Sequence, residues 1–218
     1  MTAGTKTFRR ARNPEQRRQR TEAILFAARE LALRKGVRAV RLADIAAEVG
    51  LHKSAPLRYF ETREQIYLVL TAEEWRDWAD TVVAELADRP AAIAEILSQT
   101  LAERPLFCDL LAHAPMNLER NVSRTAVCEF KLVVLDALDS LSMAAERALA
   151  PIRPGSGREL IAAVTSLAAA LWQTAHPAEA LVALYAEDPR LTSAAVDFLP
   201  RLEQLTVIMI RGLIARPL

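Results

Sequence analysis

Residues 41–66 read RLADIAAEVGLHKSAPLRYFETREQI, and this stretch contains two short apolar patterns separated by a glycine. Apolar residues recur on one face over residues 42–49, and Gly50 then interrupts the pattern. That spacing predicts a short amphipathic helix, because residues one turn apart lie on the same side of a helix. A second short helix is predicted from about Lys53 to Phe60. Two short helices with glycine in the turn between them have the spacing of a helix-turn-helix, although a hairpin within a helical bundle shares it.

A longer helix is predicted before this stretch, from about Pro14 to Lys35. Proline followed by an acidic residue is typical of a first helical turn, and apolar residues then recur one turn apart. Gly36 follows two cations, which stabilise the negative end of a helix dipole, so the helix is expected to end there. Residues 1–13 lack any apolar period and are predicted to form a flexible basic arm.

Prolines divide the chain after Thr62 into further predicted helices. We expect these helices at about residues 63–87, 91–103, 105–114, 123–149, 158–175, 178–186 and 198–215. Glycine is scarce, with six in 218 residues and none between Gly50 and Gly155. Because the tight turns of β-sheets depend on glycine, the sequence predicts an all-α fold.

The composition excludes several classes of protein. A content of 52% apolar residues is enough for a real core and excludes disorder over most of the chain. Cys108 and Cys128 are too few for a disulfide framework, and both are predicted to be buried thiols in a reducing cytoplasm. The polar N-terminus lacks the apolar segment of a secretory signal. The longest apolar run, residues 160–172, is shorter than the roughly 18–20 residues of a membrane span. We therefore expect a cytoplasmic protein with no membrane partner.

The net charge of +1 conceals an uneven distribution. Residues 1–60 carry fourteen Lys and Arg against five Asp and Glu, a net charge of +9, which leaves −8 for residues 61–218. Such asymmetry indicates contact with nucleic acid or a membrane surface, although a basic segment can also be merely solvated. The arm and the start of the first helix contribute Arg9, Arg10, Arg12, Arg17, Arg18 and Arg20. These arginines are expected to follow a DNA backbone or enter a minor groove, with a solvated tail as the alternative.

Residues 41–66 also contain a set of residue types at fixed offsets. They are Ile45, Ala46, Gly50, Tyr59, Phe60, Glu64 and Ile66, and Thr62 and Arg63 are conservative replacements in the same pattern. In this register the stretch resembles the tetracycline-repressor (TetR) family of bacterial one-component regulators. Together with the first helix, the resemblance covers about the first quarter of the chain. It is far more specific than a bare helix-turn-helix pattern, because several residue types match at once.

Five positions depart from the family pattern. Arg41 replaces the usual Thr, His52 replaces Ser, Ser54 replaces Gly, Pro56 replaces an aliphatic residue and Leu57 replaces Tyr. Arginine has no acceptor with which to cap a helix, and the proline is tolerated if Ser54 caps a helix that begins at about Ala55. The fold assignment survives these departures, but the preferred DNA sequence does not carry over from the family.

The resemblance implies a domain organisation and a function. It divides the chain into the basic arm at residues 1–13, a helix-turn-helix DNA-binding domain at residues 14–62 and a C-terminal ligand-binding and dimerisation domain at residues 63–218. The implied function is that of a ligand-responsive regulator of transcription, a homodimeric repressor that a small-molecule inducer releases from a palindromic operator. The alternative is a helical interaction protein or small-molecule-binding protein without sequence-specific DNA binding.

The residues expected to contact operator DNA lie around the second short helix. They are Arg41, His52, Lys53, Ser54, Ala55, Leu57, Arg58, Tyr59 and Arg63. Arg58 is expected to bind guanine in the major groove, and Ala55 or Leu57 to contact a thymine methyl group. Arg41 and Arg63 are expected to bind phosphates, with a solvated surface arginine as the alternative. Phe60 is expected in the core.

Large and soft side chains in the C-terminal region are candidates for an effector pocket, because small-molecule sites are mainly apolar with a few polar groups. The candidates are Trp75, Trp78, Phe107, His113, Met116, Cys128, Phe130, Trp172 and His176. Aromatic residues at helical spacing are also common in plain cores, so both interpretations stay open for each of them.

Two predicted helices, at about residues 158–175 and 198–215, are apolar over more than one face. The resemblance implies that they pair with a second copy in a four-helix interface; the alternative is burial within one subunit. Three histidines without metal-ligand spacing, and the lack of a phosphate loop or nucleophile motif, predict no metal, no cofactor and no enzymatic activity.

Overall fold

The computed structural model describes residues 14–215, apart from the side chains of Glu179, Thr192 and Ser193. Every regular element in this part of the chain is helical, which confirms the predicted all-α fold. The helices are α1 (Pro14–Lys35), α2 (Leu42–Glu48), α3 (Arg63–Asp88), α4 (Ile93–Ala102), α5 (Pro105–His113), α6 (Arg124–Ala148), α7 (Ser156–Ala175), α8 (Glu179–Glu187) and α9 (Phe198–Ile214). Their limits agree closely with the predicted ones. The predicted basic arm, residues 1–13, lies outside the described residues.

The first helix ends where its sequence predicts. The buried face of α1 consists of apolar residues one turn apart, including Ile24, Ala28 and Leu31. Gly36 then adopts a φ of 78°, a conformation that favours glycine, and its N–H donates to the carbonyl of Ala32 at 2.7 Å. A short 3₁₀ turn follows at Val37–Ala39 and leads the chain into α2.

The N-cap residue of α2, Arg41, makes no capping hydrogen bond with its side chain. The backbone N–H of Arg41 donates to the carboxylate of Asp44 at 2.8 Å, so the acid in the first turn stabilises the helix start instead. Ile45 and Ala46 are fully buried, and the small side chain of Ala46 lets α2 approach its neighbours closely. The chain leaves α2 through a turn at Gly50.

The prediction of a second short helix from Lys53 to Phe60 is wrong in its extent. The structure has only one 3₁₀ turn here, Ala55–Arg58. Pro56 provides no N–H for a helical hydrogen bond, and the side chain of Ser54 does not cap the turn. The hydroxyl of Ser54 instead pairs with Nδ1 of His52 at 3.1 Å. The segment is therefore a compact turn and not a regular helix.

The remaining helices form a bundle around the long α3. Helix α6 packs along α3, α7 lies against α5 and α6, and α9 packs on α4 and α7. The core is continuous from α1 to α9, and it includes a buried hydrogen bond from Trp78 Nε1 to Thr100 Oγ1 at 2.9 Å. Gly157 lies where α7 approaches α6 so closely that a Cβ would overlap the carbonyl oxygen of Ser142. Among the described residues, no helix has both the length and the apolar character that crossing a lipid bilayer requires.

Candidate DNA interface and effector cleft

The turn after α2 presents its polar and cationic side chains to solvent. His52, Lys53, Ser54, Leu57 and Arg58 are exposed, and Ala55 and Tyr59 are half-buried. Pro56 and Phe60 are buried beneath them, so the predicted core position of Phe60 is confirmed. The buried pair holds the turn from below while the other side chains point outward.

Backbone hydrogen bonds fix the shape of this turn. The N–H of Ala55 donates to the carbonyl of His52 at 2.8 Å, and the N–H groups of Tyr59 and Phe60 both donate to the carbonyl of Pro56, at 2.9 and 3.0 Å. The turn therefore needs little ordering before it binds a partner, which reduces the entropic cost of binding.

A basic cleft of about 690 Å³ lies beside the turn, between it and the first half of α1. Its lining residues are Gln16, Arg17, Gln19, Arg20, Ala23, Arg58 and Tyr59. The guanidinium of Arg17 lies 5.9 Å from the centre of the Tyr59 ring. Arg18, by contrast, forms ion pairs with Glu15 and Glu22 on the exposed side of the helix. Arg17, Arg18 and Arg20 thus belong to α1 and not to a flexible arm.

Arg63 has a different environment from the one predicted. Its guanidinium donates hydrogen bonds to the backbone carbonyls of Val40 and Val37 and forms an ion pair with Glu64 at 3.2 Å. It also lies 4.7 Å from the centre of the Tyr67 ring. Arg63 therefore ties α3 to the segment before α2, and this placement does not favour the predicted phosphate contact. Arg41, in contrast, is exposed.

The predicted pocket residues separate into distinct places. Trp75, Trp78 and Phe107 pack on one another with ring centres 5.3–5.7 Å apart and are buried, so the structure assigns them to the core. Met116 is exposed, and Phe130 lines a small groove between α3 and α6.

The cysteines also differ from each other. Cys108 is buried, as predicted, and burial raises the pKa of its thiol to about 12. The prediction that Cys128 is buried is wrong, because its position on α6 faces outward. Exposure likewise argues against Cys128 as a member of an enclosed pocket.

The other three predicted pocket residues, His113, Trp172 and His176, line one cleft of about 730 Å³. One wall of this cleft is the end of α1 with the Val37–Ala39 turn, and the other wall is α5 with the end of α7. The further lining residues are Ala32, Leu33, Lys35, Gly36, Arg38, Ala39, Pro105, Leu106, Asp109, Gln173 and Ala178. We call it the interdomain cleft, because it joins the predicted DNA-binding segment to the larger bundle.

Asp109 lies in this cleft and connects its two walls. Its carboxylate accepts hydrogen bonds from the backbone N–H of Val37 at 2.6 Å and from Nε2 of Gln173 at 2.9 Å, and His113 Nε2 lies 3.4 Å away. Burial by itself would raise the pKa of Asp109, but the hydrogen bonds from His113, Val37 and Gln173 together outweigh it. The pKa is therefore held below its ordinary value, and the group is a carboxylate at neutral pH.

Other polar contacts connect the same two regions. Glu61, just after the turn, accepts hydrogen bonds from the backbone N–H of Ser123 at 3.0 Å and from its hydroxyl at 2.9 Å. Ser123 is also the N-cap of α6, since its hydroxyl accepts from the N–H of Ala126. Arg29 of α1 forms ion pairs with Glu73 and Glu74 of α3. The turn and the larger bundle are thus mechanically connected.

Helices α7 and α9 present a partly uncovered surface. Along α7 this surface contains small residues, among them Ala162, Ala163 and Ser166, and along α9 it contains Ile208 and Met209. A shallow apolar groove of about 300 Å³ lies between the two helices. The surface has the mixture of small and large apolar residues that packing against other helices requires.

The described part of the chain contains no group of His, Cys, Asp or Glu side chains that could hold a metal ion. What it does contain is an exposed turn on a small helical unit, a long helix leading from that unit, and a bundle with its own cleft. A small helical unit that presents an exposed turn is the architecture of a helix-turn-helix DNA-binding protein.

Comparison with known families establishes membership. Residues 24–70 match the model described as bacterial regulatory proteins, tetR family, and residues 72–217 match the tetracyclin repressor-like C-terminal domain. The chain belongs to the TetR family. Regulators of this family are DNA-binding transcription factors rather than enzymes, and they bind operators and small-molecule ligands and are typically dimeric.

Solved structures share the fold at low identity. Thermus thermophilus FadR, a TetR-family repressor in complex with lauroyl-CoA, is 16% identical with a TM-score of 0.55, and the match covers 91% of this chain and 97% of that one. RolR in complex with resorcinol is 15% identical with a TM-score of 0.53, covering 94% and 98%. A TetR-family regulator from Mesorhizobium loti MAFF303099 is 13% identical with a TM-score of 0.51, covering 92% and 97%. A comparison with curated proteins finds no match.

The place of several residues in these sites does not follow from the sequence. The sequence predicts Arg17 and Arg20 as DNA contacts, but not their place in the cleft beside the turn, although their spacing of one turn puts them on one face of α1. Asp109 carries no such signal, since its partner Val37 is 72 residues away in the chain. The sequence singles out Lys35 only as part of the cationic end of α1 and gives no signal for Arg38, because their place in the interdomain cleft depends on the packing of α5 and α7.

Proposed function

We propose that the chain is a homodimeric repressor that acts on DNA in the cytoplasm and leaves a palindromic operator when a small-molecule inducer binds. The observation that carries the proposal is the turn at residues 52–58, whose polar and cationic side chains are exposed while Pro56 and Phe60 are buried, and which lies beside the basic cleft. A short turn that projects outward fits the major groove, whose base edges distinguish all four base pairs.

The side chains of the turn divide by chemistry into base and phosphate contacts. Arg58 has the planar fork that matches the O6 and N7 acceptors of guanine, and Leu57 offers apolar contact to a thymine methyl group. His52, Lys53, Ser54 and Ala55 are the other residues proposed to face the bases. Phosphates are assigned to Arg41 and Tyr59, and to Arg17 and Arg20, which the basic cleft places beside the turn.

A single turn contacts only a few base pairs, and a dimer would double the length of DNA sequence that is recognised. Two turns held about 34–36 Å apart, or a multiple of that distance, bind both half-sites of a palindrome. We propose that the partly uncovered surface of α7 and α9 forms the subunit interface, because the small residues on α7 and the large ones on α9 are complementary in a four-helix arrangement.

Induction requires that the inducer bind the DNA-incompetent conformation more tightly than the competent one. We propose that the inducer shifts α3, which extends from the DNA-binding unit into the bundle, and so changes the separation of the two turns. The hydrogen bonds of Asp109 to Val37 and of Ser123 to Glu61 are suitable connections, because each joins the bundle to a different side of the DNA-binding unit.

Fluorescence anisotropy with labelled duplexes from the DNA flanking the gene tests this function. The wild-type protein should bind one duplex in the presence of excess random DNA. Arg58→Ala should weaken specific binding by about 1–3 kcal/mol and relax one base position. Arg147→Ala, an arginine near the far end of α6, is the matched control and should leave affinity unchanged. No specific binding to any duplex would instead favour a helical interaction protein.

A further inference from the structure

The interdomain cleft carries positive charge that the described residues leave uncompensated. Its acid, Asp109, already accepts from Val37 and Gln173 and lies against His113. Its two cations, Lys35 and Arg38, are exposed and form no ion pair with any other described residue. An anion entering the cleft would thus meet free cations, while a cation would find the carboxylate already occupied by donors.

Aromatic and apolar side chains also line this cleft. The ring of Trp172 stacks on that of His176, with centres 3.7 Å apart, and meets Phe198 edge-on at 5.1 Å. Leu33, an exposed large apolar residue of α1, faces this cleft together with Leu106. Exposed leucine and half-buried tryptophan in a concave surface favour a planar apolar ligand, since binding removes their surface from water.

We propose that the interdomain cleft is an effector site for a planar aromatic acid, a ring system that carries a carboxylate or sulfonate group. The ring would lie against Trp172 and Leu33, and the acid group would accept hydrogen bonds from Lys35 and Arg38. A volume of about 730 Å³ suits such a molecule, because small-molecule sites usually measure about 300–1,000 Å³.

The position of the cleft gives the ligand a route to the DNA-binding unit. Lys35 and Arg38 lie immediately on either side of Gly36 and Val37, and the Val37 N–H is the donor that Asp109 of α5 accepts. A ligand held by these cations therefore changes how the end of α1 lies against α5. The role of the cleft in induction rests on the proposed function, whereas binding of the acid to the cleft does not.

Calorimetric titration of the full-length protein with 2-naphthoate, in the absence of DNA, tests the site. Lys35→Ala/Arg38→Ala should weaken binding by about tenfold, because the variant removes two charge-assisted hydrogen bonds. Arg34→Ala is the matched control: Arg34 is exposed on the same helix end but pairs with Glu48, outside the cleft, and should change affinity less than about threefold. The neutral isostere 2-naphthamide should bind wild type about as weakly as the acid binds the double variant.

Three results would each overturn the proposal: no heat of binding with 2-naphthoate at millimolar concentration, equal affinities of the acid and the amide, or equal effects of the Arg34 and the Lys35/Arg38 substitutions. Quenching of Trp172 fluorescence gives an independent readout, because Trp172→Phe should abolish the acid-dependent signal that comes from the cleft. Adding 2-naphthoate to the anisotropy assay then separates the two proposals: binding without operator release leaves the site intact and refutes its role in induction.

Discussion

The carboxylate of Asp109 on α5 accepts a hydrogen bond from the backbone N–H of Val37 across 2.6 Å, which joins the effector bundle to the segment between α1 and α2. Gly36, immediately before Val37, lies near the same carboxylate. A half-buried carboxylate that accepts several hydrogen bonds stabilises the fold most when it is ionised. The protonation state of Asp109 is therefore coupled to the packing of α5 against the segment between α1 and α2.

Asp109→Asn should destabilise the protein by about 1–2 kcal/mol at pH 7. The substitution replaces a charged carboxylate, which accepts hydrogen bonds from Val37, Gln173 and His113, by a neutral amide. The pKa of Asp109 is lower in the folded state than in the unfolded one, so its contribution is complete above the unfolded pKa of about 4. It is lost as the pH falls through the folded pKa. Urea denaturation from pH 7 to pH 3 should show the difference between wild type and variant shrinking on the acid side.

The exposed Asp136 on α6 provides the control for this measurement. Asp136→Asn should leave both the stability and its pH dependence unchanged, because surface substitutions away from specific contacts have small effects. A difference between wild type and Asp109→Asn that stays constant from pH 7 to pH 3 would contradict the assigned role of the carboxylate.

The hydrogen bonds between Glu61 and Ser123 should appear as a coupling energy. Glu61→Ala and Ser123→Ala remove the two partners, and Ser123→Ala also removes the N-cap of α6, at a cost of about 1 kcal/mol. A double-mutant cycle of unfolding free energies should give a coupling of about 0.5–1.5 kcal/mol. Additive effects would show that the two residues do not stabilise each other in solution.

The proposed interface on α7 and α9 should depend on Ile208. Ile208→Asp places a charge on that surface and should convert the dimer into a monomer in light scattering coupled to size-exclusion chromatography. Leu132→Asp on α6 is the matched control, since Leu132 and Ile208 are both 56% exposed, and it should remain dimeric. A dimer that survives Ile208→Asp and dissociates with Leu132→Asp would place the interface on α6 instead.

The basic cleft should govern the salt dependence of DNA binding. Arg17→Ala/Arg20→Ala should lower the slope of log K against log salt by about 1 for each phosphate that the variant no longer neutralises. Arg18→Ala is the control on the same helix, because Arg18 is already paired with Glu15 and Glu22. If all these variants had the wild-type slope, the start of α1 would lie outside the DNA interface.

The sequence predicted most of the helices because each depends on local features. Apolar periodicity and proline positions delimit α3 to α9, and the cations before Gly36 mark the end of α1. The helix-turn-helix spacing predicts a helix from Lys53 to Phe60, but Pro56 lacks an N–H and Ser54 does not cap, so the structure has only the 3₁₀ turn Ala55–Arg58. The length of a helix around a proline depends on tertiary packing that no local pattern encodes.

The sites were predictable only in part. The exposed residues of the turn are contiguous in the chain, so the sequence could name them together. The interdomain cleft combines α1, α5 and α7, and its hydrogen bonds join residues as far apart as Val37 and Asp109. Arg63 shows the same limit, because its carbonyl partners become visible only once α3 has packed against the segment before α2.

Hydroxyl-radical footprinting of the DNA flanking the gene shows whether the protein binds a palindromic operator. We expect two protected half-sites related by a dyad, with centres about 34–36 Å apart along the helix or a multiple of that distance. Arg58→Ala should lose this protection at protein concentrations where Arg147→Ala retains it. A folded, dimeric wild-type protein that protects no site, or protects a single patch without dyad symmetry, would refute binding to a palindromic operator.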